Sequence, residues 1–122
     1  MKKIYFKTPN LSDEWVQLLL KNPKLVFLVL SFAQRIDENI TLTEILRTSE
    51  EQHTFYPTQP TLVSVHQVWR GVDISVKSLN LIKVNKIVSD LNVEFPYGKN
   101  GTYSFLVHDS GHGLHLHVQT IG

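Results

Sequence analysis

Six histidines occur in the 122-residue chain, and four of them, His108, His112, His115 and His117, fall within ten residues of one another. From 114 to 119 the apolar Leu114, Leu116 and Val118 alternate with His115, His117 and Gln119. Such alternation reads as a β-strand, whose successive side chains point to opposite faces, so the two imidazoles of His115-x-His117 share one face. Two ring nitrogens offered to one small volume suit a metal ion or a catalytic pair. A solvent-facing strand that happens to carry histidine gives the same pattern. A second group lies upstream, in Ser64-Val65-His66-Gln67-Val68-Trp69-Arg70-Gly71-Val72-Asp73-Ile74. Asp73 falls on the face opposite Val72 and Ile74, where a carboxylate in an apolar strand needs a cation, a cap or water to offset its desolvation. An ordinary exposed aspartate on a surface strand is the plainer alternative. Two histidines and a carboxylate make a common catalytic zinc set with one position left for water.

The two groups together resemble the D-Ala-D-Ala carboxypeptidase and Hedgehog-type zinc metallopeptidases. The likeness rests on Ser64-x-His66, Asp73 seven residues after that histidine, and the late His115-x-His117 strand. Trp69-Arg70-Gly71-Val72-Asp73 is similar to the Gly-Arg-Ala-Val-Asp of phage-type members, and Thr43 to Thr48 is similar to an upstream segment ending in a substrate-polarising arginine, here Arg47. The resemblance implies a zinc ion on His66, Asp73 and His117, with His115 beside the attacking water. It also implies that Arg47 stabilises an oxyanion or binds a substrate carboxylate, and that Ser64 contacts substrate. The implied substrates are peptidoglycan stem peptides cut next to D-amino acids. An all-histidine ligand set of His66, His115 and His117, with Asp73 behind it, satisfies the same spacing.

Two positions depart from the family pattern. An acidic base three residues before the last histidine is replaced by Leu114, and Trp69 stands where glycine is usual, which would reshape the approach to the metal. The first departure leaves a catalytically weak or inactive zinc-binding module on the same scaffold as the alternative function. If the chain is a hydrolase, His115 is the first candidate base, with Asp109 and His112 next. Plainer readings exist elsewhere: Arg47 could pair with Glu44, Glu50 or Glu51 at the surface, Trp15 and Trp69 could pack at the core or its rim, and His53 sits in a polar stretch. His108 is either a partner of the site or an exposed strand residue.

The elements that must position these residues are legible from periodicity. Ser12 before Asp13 and Glu14 suggests a helix start, and Asn22-Pro23 interrupts and restarts the pattern. Leu25, Leu28, Val29, Phe32 and Ile36 then recur at helical spacing. Ile40 to Thr43 alternates as a strand running towards Arg47, and residues 54–61, with two prolines, read as loop. Val72, Ile74 and Val76 mark a strand, and Val84, Ile87, Val88 and Leu91 a helix. Residues 96–101 read as a turn. Tyr103, Phe105 and Val107 form a strand that makes a hairpin with the His115–His117 strand. The expected fold is α+β, one domain over residues 1–122: an antiparallel sheet carrying the metal site on one face, helices on the other.

Composition narrows the rest. Twelve Lys and Arg against eleven Asp and Glu, without a basic block, argue against a nucleic-acid partner. The absence of cysteine excludes disulfides and thiolate zinc sites. Lys7 to Asn10 interrupts any signal-peptide apolar region, and Leu25 to Leu30 is far shorter than the roughly 20 residues of a membrane span. The expectation is a protein made in the cytoplasm, without signal peptide or anchor, suiting a phage or prophage product that acts on the cell wall.

Overall fold

The structure, a computed structural model, describes residues 2–45, 69–98, 102–109 and 113–121. In chain order these form β1 (Ile4–Phe6), α1 (Pro9–Lys21), α2 (Pro23–Ile36), β2 (Ile40–Glu44), β3 (Gly71–Ser75), α3 (Leu81–Glu94), β4 (Phe105–Asp109) and β5 (Leu114–Gln119). The strands make one five-stranded sheet in the order β1-β2-β3-β5-β4. The fold is α+β, but its sheet is mixed rather than antiparallel throughout. β1 runs parallel to β2, a pairing reached through the α1–α2 connection, because parallel neighbours need a long crossover. The short Ile4–Phe6 run carries too little alternation to announce itself as a strand.

Alternation assigns the two faces of the sheet. Ile40, Leu42, Val72, Ile74, Phe105, Leu116 and Val118 join Leu18, Leu25, Phe32, Ile36, Val84 and Leu91 of the helices in one buried cluster. The three helices therefore cover this apolar face, as the periodicity predicts. Two polar residues in succession, Thr43 and Glu44, break the alternation between Leu42 and Ile45. Leu42 pairs with Ile74 and Glu44 with Asp73, so a bulge accommodates the extra residue. It lets both Leu42 and Ile45 stay buried and turns Glu44 to the same face as Asp73. β2 ends there: Ile45 is in a bend, not in a strand continuing towards Arg47.

Helix α1 begins earlier than Ser12 suggests. Pro9 occupies its first turn after Thr8, and the Ser12 hydroxyl donates to the Pro9 carbonyl from inside the helix. Proline wins because its fixed φ suits a first helical position and it lacks the N–H that would go unpaired there. Among the described residues no single helix is long and apolar enough to cross a membrane; α1 and α2 would qualify only as a pair, bent by 120° at their junction.

Asn22, at that junction, ties the helices to the sheet. Its side-chain oxygen accepts from Leu25 N at 3.2 Å and caps α2. Its amide donates to Trp69 O at 3.0 Å, just before β3, and to the Thr120 hydroxyl at 2.8 Å, just after β5. A similar amide clasp closes the outer edge: Asn92 of α3 pairs with both backbone groups of Phe105 at 2.9 Å, which shields that strand from further pairing. Asn22→Ala removes a cap and leaves buried partners unmet, so it should cost about 2–4 kcal/mol. Urea unfolding should show a lower midpoint with an unchanged slope, and Asn22→Asp, which keeps only the cap, should fall between. An unshifted Asn22→Ala midpoint would contradict this role.

Candidate functional site

The face of the sheet opposite the helices gathers the chemistry. Asp73 lies directly across the ladder from His117, and Ser75 across from His115, where β3 and β5 pair antiparallel. His108 on β4 lies directly across from His115. Three adjacent strands thus bring a carboxylate and three imidazoles to one face. Strand alternation produces this placement, because the same period that buries Val72, Ile74, Leu116 and Val118 turns Asp73, His115 and His117 the other way.

The side chains meet closely. His117 Nδ1 lies 2.8 Å from Asp73 Oδ1, and His115 Nε2 lies 3.5 Å from Asp73 Oδ2. Only 8% of the Asp73 side chain, 14% of that of His115 and 12% of that of His117 is exposed. A carboxylate this far from water must meet positive charge or hydrogen-bond donors. The far nitrogens are engaged as well. His115 Nδ1 lies 3.0 Å from Gly113 O, and His117 Nε2 lies 3.1 Å from Gln119 Oε1. A backbone carbonyl only accepts, so the contact with Gly113 O needs a hydrogen on Nδ1 of His115. Gly113 adopts φ +101°, a conformation that suits glycine and brings its carbonyl to this ring.

His108 joins the site, which resolves the two roles the sequence left open for it. Its ring packs edge-on against His115 at 4.6 Å and against His117 at 5.7 Å between centroids. Its Nε2 is buried and meets no hydrogen-bond partner among the described residues. Burial, helped by the neighbouring His115 and His117 and opposed by Asp73 and Asp109, pulls its pKa below the ordinary value of 6.5. The sequence signal was its parity: His108 falls between Val107 and the turn, one step out of phase with Phe105 and Val107. Glu44 is the other residue that reading missed on this face, its signal being the doubled polar step at the bulge.

Other expected residues fall elsewhere. Leu114 continues the Leu116–Val118 parity of β5, so the position where the family places an acid lies on the face away from His115 and His117. Asp109 has the parity of Phe105 and Val107, and its carboxylate accepts from Gly113 N at 3.2 Å. Trp69 packs against the core cluster, with Lys21 Nζ 5.8 Å from its ring centre, rather than at the site. Its φ of 59° is left-handed, the conformation that a glycine would adopt without strain. Trp15 also packs against the core. His66, Ser64, Arg47, His53 and His112 lie outside the described residues.

Among the described residues no three His, Asp or Glu side chains form a ready group for a metal. The Asp73–His117 pair stands at hydrogen-bond distance, 2.8 Å, closer than the roughly 3.3 Å that separates two ligands of a tetrahedral zinc. No family model, curated protein or solved structure matches the chain.

The lowered His108 pKa has a signed consequence. The unfolded chain binds a proton at this residue near pH 6.5, while the folded protein resists it until lower pH, so stability falls as pH drops through that window. In metal-free protein, urea midpoints should therefore decline from about pH 7 to about pH 5 more steeply in wild type than in His108→Gln. Parallel declines would show that His108 carries none of this dependence.

Proposed function

We propose that the chain is a zinc-dependent peptidase acting next to D-amino acids in peptidoglycan stem peptides. The observation that carries this reading is the 2.8 Å contact of Asp73 with His117. Two residues 44 positions apart, singled out by separate motifs, meet on one sheet face in register. In this reading His66, Asp73 and His117 hold the metal. Zinc, when bound, would polarise the scissile carbonyl and acidify a water.

The chain's own residues supply the remaining steps. His115 Nε2, left as an acceptor by the Nδ1–H bond to Gly113 O, takes a proton from the attacking water and can return it to the leaving amine. Arg47 balances the charge that develops on the carbonyl oxygen or grips a substrate carboxylate, and Ser64 contacts the peptide. The Leu114 position favours one second reading. With no acid there, and with that position turned to the other face, a zinc-binding module that holds cell-wall peptides without cutting them would use the same ligands.

Protein purified without chelator should contain about one equivalent of zinc, and His66→Ala or Asp73→Ala should remove it. Retention of full stoichiometry in both variants would refute the ligand set. Digestion of peptidoglycan fragments, followed by mass spectrometry, separates the two readings. Wild type should release a product ending or starting at a D-residue, and His115→Ala should keep its zinc while slowing about 100-fold or more. Inert, zinc-loaded wild type would leave the binding module.

A further inference from the structure

We infer that Leu106 is a specificity-determining residue, the apolar wall on which a bound peptide packs an aliphatic side chain next to the scissile bond; this deepens the peptidase reading above and rests on it. β4 is the outermost strand on its side of the sheet, followed by β5 and β3. Leu106 lies directly across from His117, and His117 directly across from Asp73, so the three make one row over three strands. Exposure falls along that row: Leu106 is 41% exposed, His117 is half-buried and Asp73 is buried. The row is open to solvent at its leucine end. A peptide that reaches His117 from there meets Leu106 first.

Parity turns Phe105 and Val107 towards the helices and Leu106 away from them. Leu106 is the one aliphatic side chain that the described strands turn to the site face; His108, His115, His117 and Gln119 around it are polar. The core does not use it, because Phe105, Leu116 and Val118 fill the other face. Single exposed leucines are common; what sets this one apart is its register with His117. Neighbouring strands stand about 4.8 Å apart, so a group held at His117 comes within packing reach of the Leu106 side chain. An aliphatic group packed there removes apolar surface from water on both partners. An acidic side chain would exchange its hydration for a leucine that offers it no partner. Asn92 of α3 holds both backbone groups of Phe105 at 2.9 Å, which keeps the edge strand, and Leu106 with it, in place beside the site.

The test uses three peptides that differ only in the residue at the scissile bond: D-alanine, D-glutamate or glycine. Both kcat/KM for cleavage and Kd from titration are measured. Glycine, with no side chain to pack, is the reference within each protein, so a general loss of activity cancels. Wild type should favour D-alanine over glycine about 4-fold and over D-glutamate about 10-fold or more. Leu106→Met, apolar and of similar volume, should keep that order. Leu106→Ser should bring the D-alanine to glycine ratio close to one. Leu106→Lys should reverse the order in favour of D-glutamate, a gain that misfolding does not produce. If wild type binds the peptides in the expected order without cutting them, and Leu106→Lys reverses the order of Kd, the peptidase reading fails while the wall stands. If cleavage keeps the same order in wild type, Leu106→Ser and Leu106→Lys, the wall is overturned and the peptidase reading stands. A wild type that neither cuts nor binds any of the three overturns both.

Discussion

A carboxylate in the middle strand of the sheet, almost cut off from water, is the constraint around which the site is arranged. Asp73 sits on β3, with β2 on one side and β5 on the other, so its neighbours are fixed by strand pairing rather than by a loop. Cross-strand register delivers His117 opposite it and His115 two residues away on the same face. Burial makes that delivery consequential, because an ion pair or hydrogen bond in a water-poor environment is stronger, and an unmet charge more costly, than at the surface. The bulge in β2 serves the same end. One extra residue keeps Leu42 and Ile45 in the core while Glu44 is carried round to face Asp73.

The opposite face provides the rigidity that such a site needs. A buried cluster drawn from three helices and the sheet fixes the strands from one side. Asn22 joins the α1–α2 junction to the start of β3 and the end of β5, the two strands that carry Asp73 and the histidines. Its hydrogen bonds use both amide N–H groups and the side-chain oxygen, so a buried polar group that would be costly unpaired also specifies the docking of helices on sheet. Catalytic or ligating side chains placed on strands braced in this way keep their geometry better than the same side chains on loops.

Much of this arrangement was legible in the sequence because strand parity is a strong signal. The alternation of Val72 and Ile74 with Asp73, and of Leu116 and Val118 with His115 and His117, predicted both faces and the meeting of the two motifs. Asn22-Pro23 predicted the helix restart through proline at a first helical position, and the structure adds the Asn22 side-chain cap. Three features escaped for physical reasons. β1 is too short to show a period and exists only through its pairing with β2. The bulge looks like a lapse in alternation until its register is known. The role of Ser12 was misread because Pro9 offers a better helix start three residues earlier. Of the positions that the sequence singles out, Asp73 and His117 meet in register, whereas Leu114 has the opposite parity on β5.

Asp73 and the two rings are held from both sides. His117 Nδ1 meets Asp73 Oδ1 at 2.8 Å and His115 Nε2 meets Asp73 Oδ2 at 3.5 Å, so the closer contact runs directly across the β3–β5 ladder. On their outward sides the rings meet Gly113 O and Gln119 Oε1, which fix the plane of each imidazole while Asp73 fixes its inner edge. His108 packs edge-on against both rings, and these neighbours add to burial in disfavouring its charged form. A polar cluster braced by strand pairing on one side and by outward hydrogen bonds on the other changes its geometry only if the sheet does, so the strands that bury the core also set the chemistry of the opposite face.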